Sequence, residues 1–227
     1  MRRNMRITVF GAAGSVGSRV AAEAVARGHE VTAVVRDPAR FPELPTGVNA
    51  RTGDASRADD VAALAAGQDV VISATRPARG REGELVTTTE ALLAGLARTN
   101  GVADGVTDRV RLLLVGGAGS LTVPGSRGAV AVADDPAFVP AAWRDIALAC
   151  TRQLEVCRAE AAVDWTYLSP PALLEPGERT GGYRLGADEL LVDAAGRSAI
   201  SMEDLAVALL DEAERPRHRR ARFTVAY

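Results

Sequence analysis

The nine residues Val9-Phe10-Gly11-Ala12-Ala13-Gly14-Ser15-Val16-Gly17 constrain this chain more than any other stretch. The apolar run Ile7 to Phe10 reads as a buried strand. Three glycines follow at spacing G-x-x-G-x-x-G, and an alanine-rich helical pattern then runs from Val16 to about Arg27. Strand, glycine turn and helix in that order open a dinucleotide-binding βαβ unit. Gly11 permits a tight turn, Gly14 lets backbone approach a pyrophosphate, and Gly17 lets the helix pack closely. The first N–H groups of such a helix lack intrahelical acceptors, so they and the helix dipole attract an anion. Glycines also serve turns that bind nothing. Here the second β-rich run, Glu30 to Val35, supplies the context the motif requires.

Arg36 ends that second run. Folds of this kind that take NAD place a carboxylate there for the ribose 2′-OH, whereas a cation suits a 2′-phosphate. Arg donates two parallel bonds to such a group. Arg36 therefore favours NADP(H), with NAD(H) left open by Asp37, the adjacent carboxylate. A solvated strand-end charge is the functionless reading of Arg36.

Strand and helix patterns alternate along the 227 residues. Strands are expected at 48–52, 69–73, 111–115, 164–168, 190–192 and 223–225, and helices at 57–66, 84–99, 141–159 and 205–214. Ser201-Met202-Glu203-Asp204 resembles a capping box before the last helix. The expectation is an α/β fold, one Rossmann-like domain over residues 1–227, with a doubly wound parallel sheet and helices on both faces. In such sheets ligands sit beyond the carboxyl ends of the strands. Candidate site residues are therefore those that follow strands: Gly11 to Gly17, Arg36, Asp54, Ser73 to Arg76, Gly116 to Ser120, and Ser169 to Ala172. The loops 116–140 and 169–188 would build the remaining part of the site.

Composition excludes several functions. The net charge of −2 gives no electrostatic case for nucleic acid or an anionic membrane, and no apolar run is long enough to span a bilayer. The basic start Met1 to Met5 precedes too short an apolar run for a signal sequence, so cytoplasm is the default. All 27 basic residues are arginine. Walker-A lysine, Schiff-base lysine and Tyr-x-x-x-Lys chemistry are absent with it. Cys150 and Cys157 lie seven apart in an expected helix, about 10 Å along its axis, too far for a disulfide. With no C-x-x-C and two isolated histidines, no metal site is expected.

Gly11-Ala12-Ala13-Gly14-Ser15-Val16-Gly17, Val34-Val35-Arg36-Asp37, Gly53-Asp54-Ala55, Leu168-Ser169-Pro170-Pro171-Ala172 and Gly177-Glu178-Arg179-Thr180-Gly181 together resemble the atypical short-chain dehydrogenase/reductases of the NAD(P)H-binding, NmrA-like group. That group includes NADH-flavin reductases and is related to biliverdin-IXβ reductase. The resemblance implies that Gly11, Ala13, Gly14, Ser15, Val16 and Gly17 hold a pyrophosphate and Arg36 a 2′-phosphate. It implies that Asp54 bonds the adenine amino group beside Ala55; a helix-capping role for Asp54 is an equal alternative. By the same resemblance Ser73, Ala74 and Thr75 line the riboses, and Gly116, Ser169, Pro170 and Pro171 border the nicotinamide.

Departures from the family pattern bear on mechanism. No tyrosine begins the expected helix at 141; Trp143 and Arg144 stand there. Gly117 and Ala172 occupy places where relatives carry serine or histidine. Ser120 is the nearest candidate for a catalytic hydroxyl, or simply a loop residue. Arg76, Arg79 and Arg81 could meet an anionic acceptor or form a solvated run, and Trp143 could stack on a planar acceptor or anchor a loop. Three functions follow: an NADPH-dependent reductase of a flavin- or quinone-like acceptor that takes its proton from water, a non-catalytic NADP(H) sensor, or an epimerase, which the missing tyrosine–lysine pair disfavours.

Overall fold

The computed structural model describes residues 4–101 and 109–227, so the basic residues 1–3 of the expected N-terminal reading lie outside it. The elements run β1 (Arg6–Phe10), α1 (Ser15–Ala26), β2 (Glu30–Val35), β3 (Asn49–Thr52), α2 (Ala58–Ala65), β4 (Val70–Ser73), α3 (Glu84–Gly101), β5 (Arg111–Val115), α4 (Arg144–Ala159), β6 (Trp165–Ser169), β7 (Leu173–Glu175), β8 (Arg184–Gly186), β9 (Ala199–Ser201), α5 (Met202–Glu214) and β10 (Ala221–Ala226). Eight strands form one sheet in the order β3-β2-β1-β4-β5-β6-β10-β8. Every pairing in it is parallel except β10 with β8, so the fold is the α/β, Rossmann-like sheet that the alternating pattern predicts.

Alternation of side chains across each strand sets the two layers. Ile7 and Val9 of β1, Ile72 of β4 and Leu113 of β5 pack with α1 and α5 residues such as Val20 and Leu209. Their neighbours Phe10, Val71, Leu112 and Leu114 pack on the opposite face with Val61 of α2, Leu92 and Leu96 of α3 and Leu154 of α4. Both faces are covered, which is why β4 and β5 read as unbroken apolar runs.

The third part of the chain departs from the pattern. Residues 190–192, expected as a strand, are irregular. Leu190 is buried because it packs with Leu121 and Val132, not because it joins the sheet. The strands of this region are instead β7 and β9, a separate parallel pair, and β8 at the sheet edge. Helix α4 begins at Arg144 after a single 3-10 turn over Ala141–Trp143. Segment 121–140 folds back on itself through bridges from Thr122 to Ala131 and to Glu189. Cys150 and Cys157 are buried free thiols, as their spacing implies, and burial pushes both up to about 12. No helix among the described residues is long and apolar enough to cross a membrane.

Candidate functional site

One cavity of about 1300 Å³ runs along the carboxyl ends of the parallel strands. Pockets for a single drug-sized ligand measure roughly 300–1,000 Å³, so this one has room for a dinucleotide and a second small molecule.

Its centre is the turn between β1 and α1. Gly11 has φ +78°, a conformation that L side chains avoid, and a Cβ there would lie 2.7 Å from the Ala74 carbonyl oxygen. A Cβ on Gly17 would overlap the Gly11 carbonyl. Gly17 thus lets α1 close on its own turn, a tighter requirement than packing on the sheet. The first intrahelical bond runs from Ser18 N–H to Gly14 O at 2.9 Å, so the N–H groups of Ser15, Val16 and Gly17 have no intrahelical acceptor. Gly14 caps the helix with no side chain, and the first turn contains no acid. The other α-helices each carry at least one there: Asp59 and Asp60 in α2, Glu84 in α3, Asp145 in α4, and Glu203 and Asp204 in α5. The positive end of α1 therefore faces the cavity without a carboxylate to offset it.

To one side of this turn lie the ends of β2 and β3. Arg36 is exposed on the cavity wall, and its guanidinium makes no hydrogen bond or ion pair among the described residues. Asp37, its rival, spends one carboxylate oxygen on Ala39 N–H at 2.9 Å, capping the 3-10 turn Pro38–Glu43. Arg40 reaches back to the Ala13 carbonyl at 2.8 Å while pairing with Glu43. Asp54 accepts from the Ser56 N–H at 2.9 Å and the Ser56 hydroxyl at 2.8 Å, closing an Asx turn; the residue at the start of α2 is Arg57. Burial opposes the charge of Asp54, but the Ser56 bonds and the nearby Arg36 and Arg57 charges outweigh it and hold its carboxyl below the ordinary value.

On the other side lie the ends of β4, β5 and β6. Ala74, Thr75, Gly116, Pro170, Pro171 and Ala172 line the cavity with Ala55. Ser73 and Ser169 are buried strand-end residues behind that wall. The Ser73 hydroxyl pairs with Thr75 at 3.1 Å, and the Ser169 hydroxyl has no hydrogen-bond partner among the described residues. Ser120 turns away. It accepts from Arg222 at 2.9 Å, and Arg222 also pairs with Asp188, so the hydroxyl belongs to a cluster over β10.

Tyr167 is fully buried. Its hydroxyl lies 2.9 Å from Cys150 O and 3.1 Å from Gln153 Oε1, and accepts from Gly117 N–H at 3.3 Å. Burial raises its pKa well above the ordinary phenol value. Gly116 has no side chain because the Tyr167 ring fills that space. A Cβ on Gly117 would lie 2.7 Å from Cys150 Cβ, so α4 sits too close for a serine at this place.

The loops expected to build the rest of the site do reach the wall: Phe138, Val139 and Pro140 from 116–140 and Leu174 from 169–188. Met202 and Tyr227, which no expectation placed in the site, complete it from the β9 side. Tyr227 lies at the very end of the chain, where no motif marks it.

The model of the NAD(P)H-binding family matches residues 11–216. A Bacillus subtilis protein, YwnB, described as uncharacterized, is 36% identical over 97% of this chain and 98% of its own length. A solved structure from Bacteroides thetaiotaomicron, titled "putative epimerase", is 36% identical with TM-score 0.84 and covers 99% of this chain and 98% of that one. Another, from Streptococcus pneumoniae and titled "a putative NADH-flavin reductase", is 30% identical with TM-score 0.78 over 98% and 99%.

Proposed function

The chain belongs to the NAD(P)H-binding family, and on that premise we propose that it is an NADPH-preferring reductase of a small planar acceptor, flavin or quinone in type. The observation that carries the reading is one continuous cavity with a glycine-walled helix end at its centre and, beyond β2, an arginine unpaired among the described residues. The residues fit the coenzyme: a Cβ at Gly17 would collide with the Gly11 carbonyl and one at Gly11 with the Ala74 carbonyl, so side-chain-free positions keep the amino end of α1 uncovered.

In this reading the N–H groups of Ser15, Val16 and Gly17 hold the pyrophosphate, and Gly14 leaves it room to approach. Arg36 takes the 2′-phosphate, while the Asp37 carboxylate is partly committed to Ala39. Asp54 and Ala55 face the adenine. Thr75, Gly116, Pro170 and Pro171 form the floor at the nicotinamide end, and the loops 116–140 and 169–188 supply the acceptor side. Bound there, the reduced coenzyme would supply a hydride, and with one proton from water the acceptor would be reduced by two electrons.

No side chain needs to donate that proton. Tyr167, whose ring backs Gly116, holds its hydroxyl among Cys150, Gln153 and Gly117; Tyr227 on the cavity wall gives its proton to Asp204 and accepts from Ser201 N–H; and Ser120 faces Arg222. The same feature disfavours an epimerase, which needs placed groups to move protons on its substrate. It favours the non-catalytic sensor as the second reading, with NADP(H) bound in the same way.

The test is NADPH oxidation followed by absorbance with FMN or a water-soluble quinone. Turnover above the rate without protein supports the reductase. Tight NADPH binding with no turnover across flavins and quinones replaces it with the sensor.

A further inference from the structure

Four arginines line the cavity: Arg36, Arg40, Arg76 and Arg197. Arg40 is paired with Glu43 and Arg197 with Asp193. Arg36 and Arg76 make no ion pair or hydrogen bond among the described residues. They follow β2 and β4, the two strands that flank β1, so one unpaired guanidinium stands on each side of the glycine turn. Neighbouring strands lie about 4.8 Å apart, which puts the two strand ends roughly 10 Å from each other. A 2′-phosphate claimed by Arg36 leaves Arg76 without an anion.

Arg76 is instead drawn the other way, over Trp143, with its guanidinium carbon 4.9 Å from the ring centroid. Trp143 lines the cavity and is 52% exposed, an unusual state for the largest apolar side chain. It precedes α4, and the next residue, Arg144, is held by Asp134 at 2.9 Å. Phe138, Pro140 and Ile146 line the same cavity.

We propose that Trp143 and Arg76 form the acceptor subsite and that it selects a planar ring carrying an anionic group. The proposal rests on the reductase reading for what happens next, but not for binding itself. The indole offers a stacking face, and a guanidinium resting on it at this half-exposed site is held only by a weak cation–π contact. Charge-assisted bonds to a phosphate or carboxylate are stronger, so Arg76 leaves the ring for the anion and the ring is released to stack. Two weakly held groups become two engaged ones.

FMN and riboflavin share one ring system and differ in the phosphate, so they separate the two parts. Tryptophan emission quenching, corrected for ligand absorbance and measured without NADPH, reads binding alone. Trp165, the other tryptophan, is buried in the sheet. FMN should quench at concentrations about tenfold or more below riboflavin. Arg76→Ala should erase that difference, and Trp143→Leu, read by the change in the flavin's own emission, should weaken FMN binding about tenfold or more while NADPH affinity stays the same. Equal binding of FMN and riboflavin by the parent protein overturns the proposal. So does an Arg76→Ala variant that loses NADPH affinity and keeps the preference for FMN, because Arg76 would then serve the coenzyme. FMN-selective quenching without NADPH oxidation keeps the subsite and overturns the reductase. NADPH oxidation with equal KM for both flavins keeps the reductase and overturns the subsite.

Discussion

Tyr167→Phe separates a structural tyrosine from a catalytic one. Reductases with a tyrosine–lysine pair lose turnover when the tyrosine goes. Here the hydroxyl is sealed from solvent, and its bonds run to the backbone of Cys150 and Gly117 and to the Gln153 side chain, itself tied to Thr89 at 3.0 Å. Replacement leaves the ring volume intact and opens no cavity. It deprives Gly117 N–H of its acceptor and leaves either Cys150 O or Gln153 Oε1 without the one hydrogen a phenol can give. A lost buried bond costs about 1–2 kcal/mol. In a chain of this size each kcal/mol moves Tm by about 2–4 °C, so thermal unfolding should fall by about 2–8 °C. Calorimetric or circular-dichroism melts measure this, and NADPH oxidation at 25 °C measures the rest. Turnover and NADPH affinity should stay within about twofold of the parent. A variant with unchanged Tm and abolished turnover would refute the assignment and make Tyr167 a participant in the chemistry.

Other perturbations probe separate parts. Arg36→Ala removes an exposed side chain with no hydrogen bond or ion pair among the described residues, so Tm should not move, while NADPH should bind about 10- to 100-fold more weakly and NADH about as before; equal loss for both coenzymes removes the 2′-phosphate assignment. Gly17→Ala drives a Cβ into the Gly11 carbonyl and should destabilise by about 1–3 kcal/mol and weaken both coenzymes, read by denaturant melts and titration; a fully stable, fully binding variant contradicts the closeness of that turn. Glu23 is held below the ordinary carboxylate value by the Arg179 bond, against burial and with help from Arg27, so its contribution is complete above the unfolded pKa of about 4.3 and fades as pH falls through the lower folded value. Melting temperature should therefore drop below about pH 4, and Arg179→Ala should flatten that acid limb; parallel limbs in the two proteins would show that the pair does not shape it.

Much of this site was legible because the glycine spacing encodes backbone constraints. Gly11 and Gly17 report a positive φ and a collision that no other residue escapes, and both survive translation into one-letter code. The buried strands β4 and β5 were equally plain, since apolar residues on both faces leave no alternation to misread. What failed was local. Leu190 carries the apolar character of a strand residue, yet its burial comes from Leu121 and Val132, and burial without pairing looks the same in sequence. The three-residue strands β7, β8 and β9 are too short to show a period. The acid of the supposed capping box is used elsewhere: the Ser201 hydroxyl does accept from Asp204 N–H at 2.9 Å, but the Asp204 carboxylate takes Thr180, Gly181 and Tyr227 instead of closing the box. Such a choice depends on residues far along the chain. So does the pairing of Arg76 with Trp143, 67 positions apart, as counted from their numbers.

Isothermal calorimetry of NADPH and NADH against the purified protein is the most direct trial of the reading on which everything rests. Saturable one-to-one heat from both, with NADPH the tighter, is the expected result. The absence of heat from either coenzyme would contradict the assignment of the α1 amino end as the pyrophosphate seat.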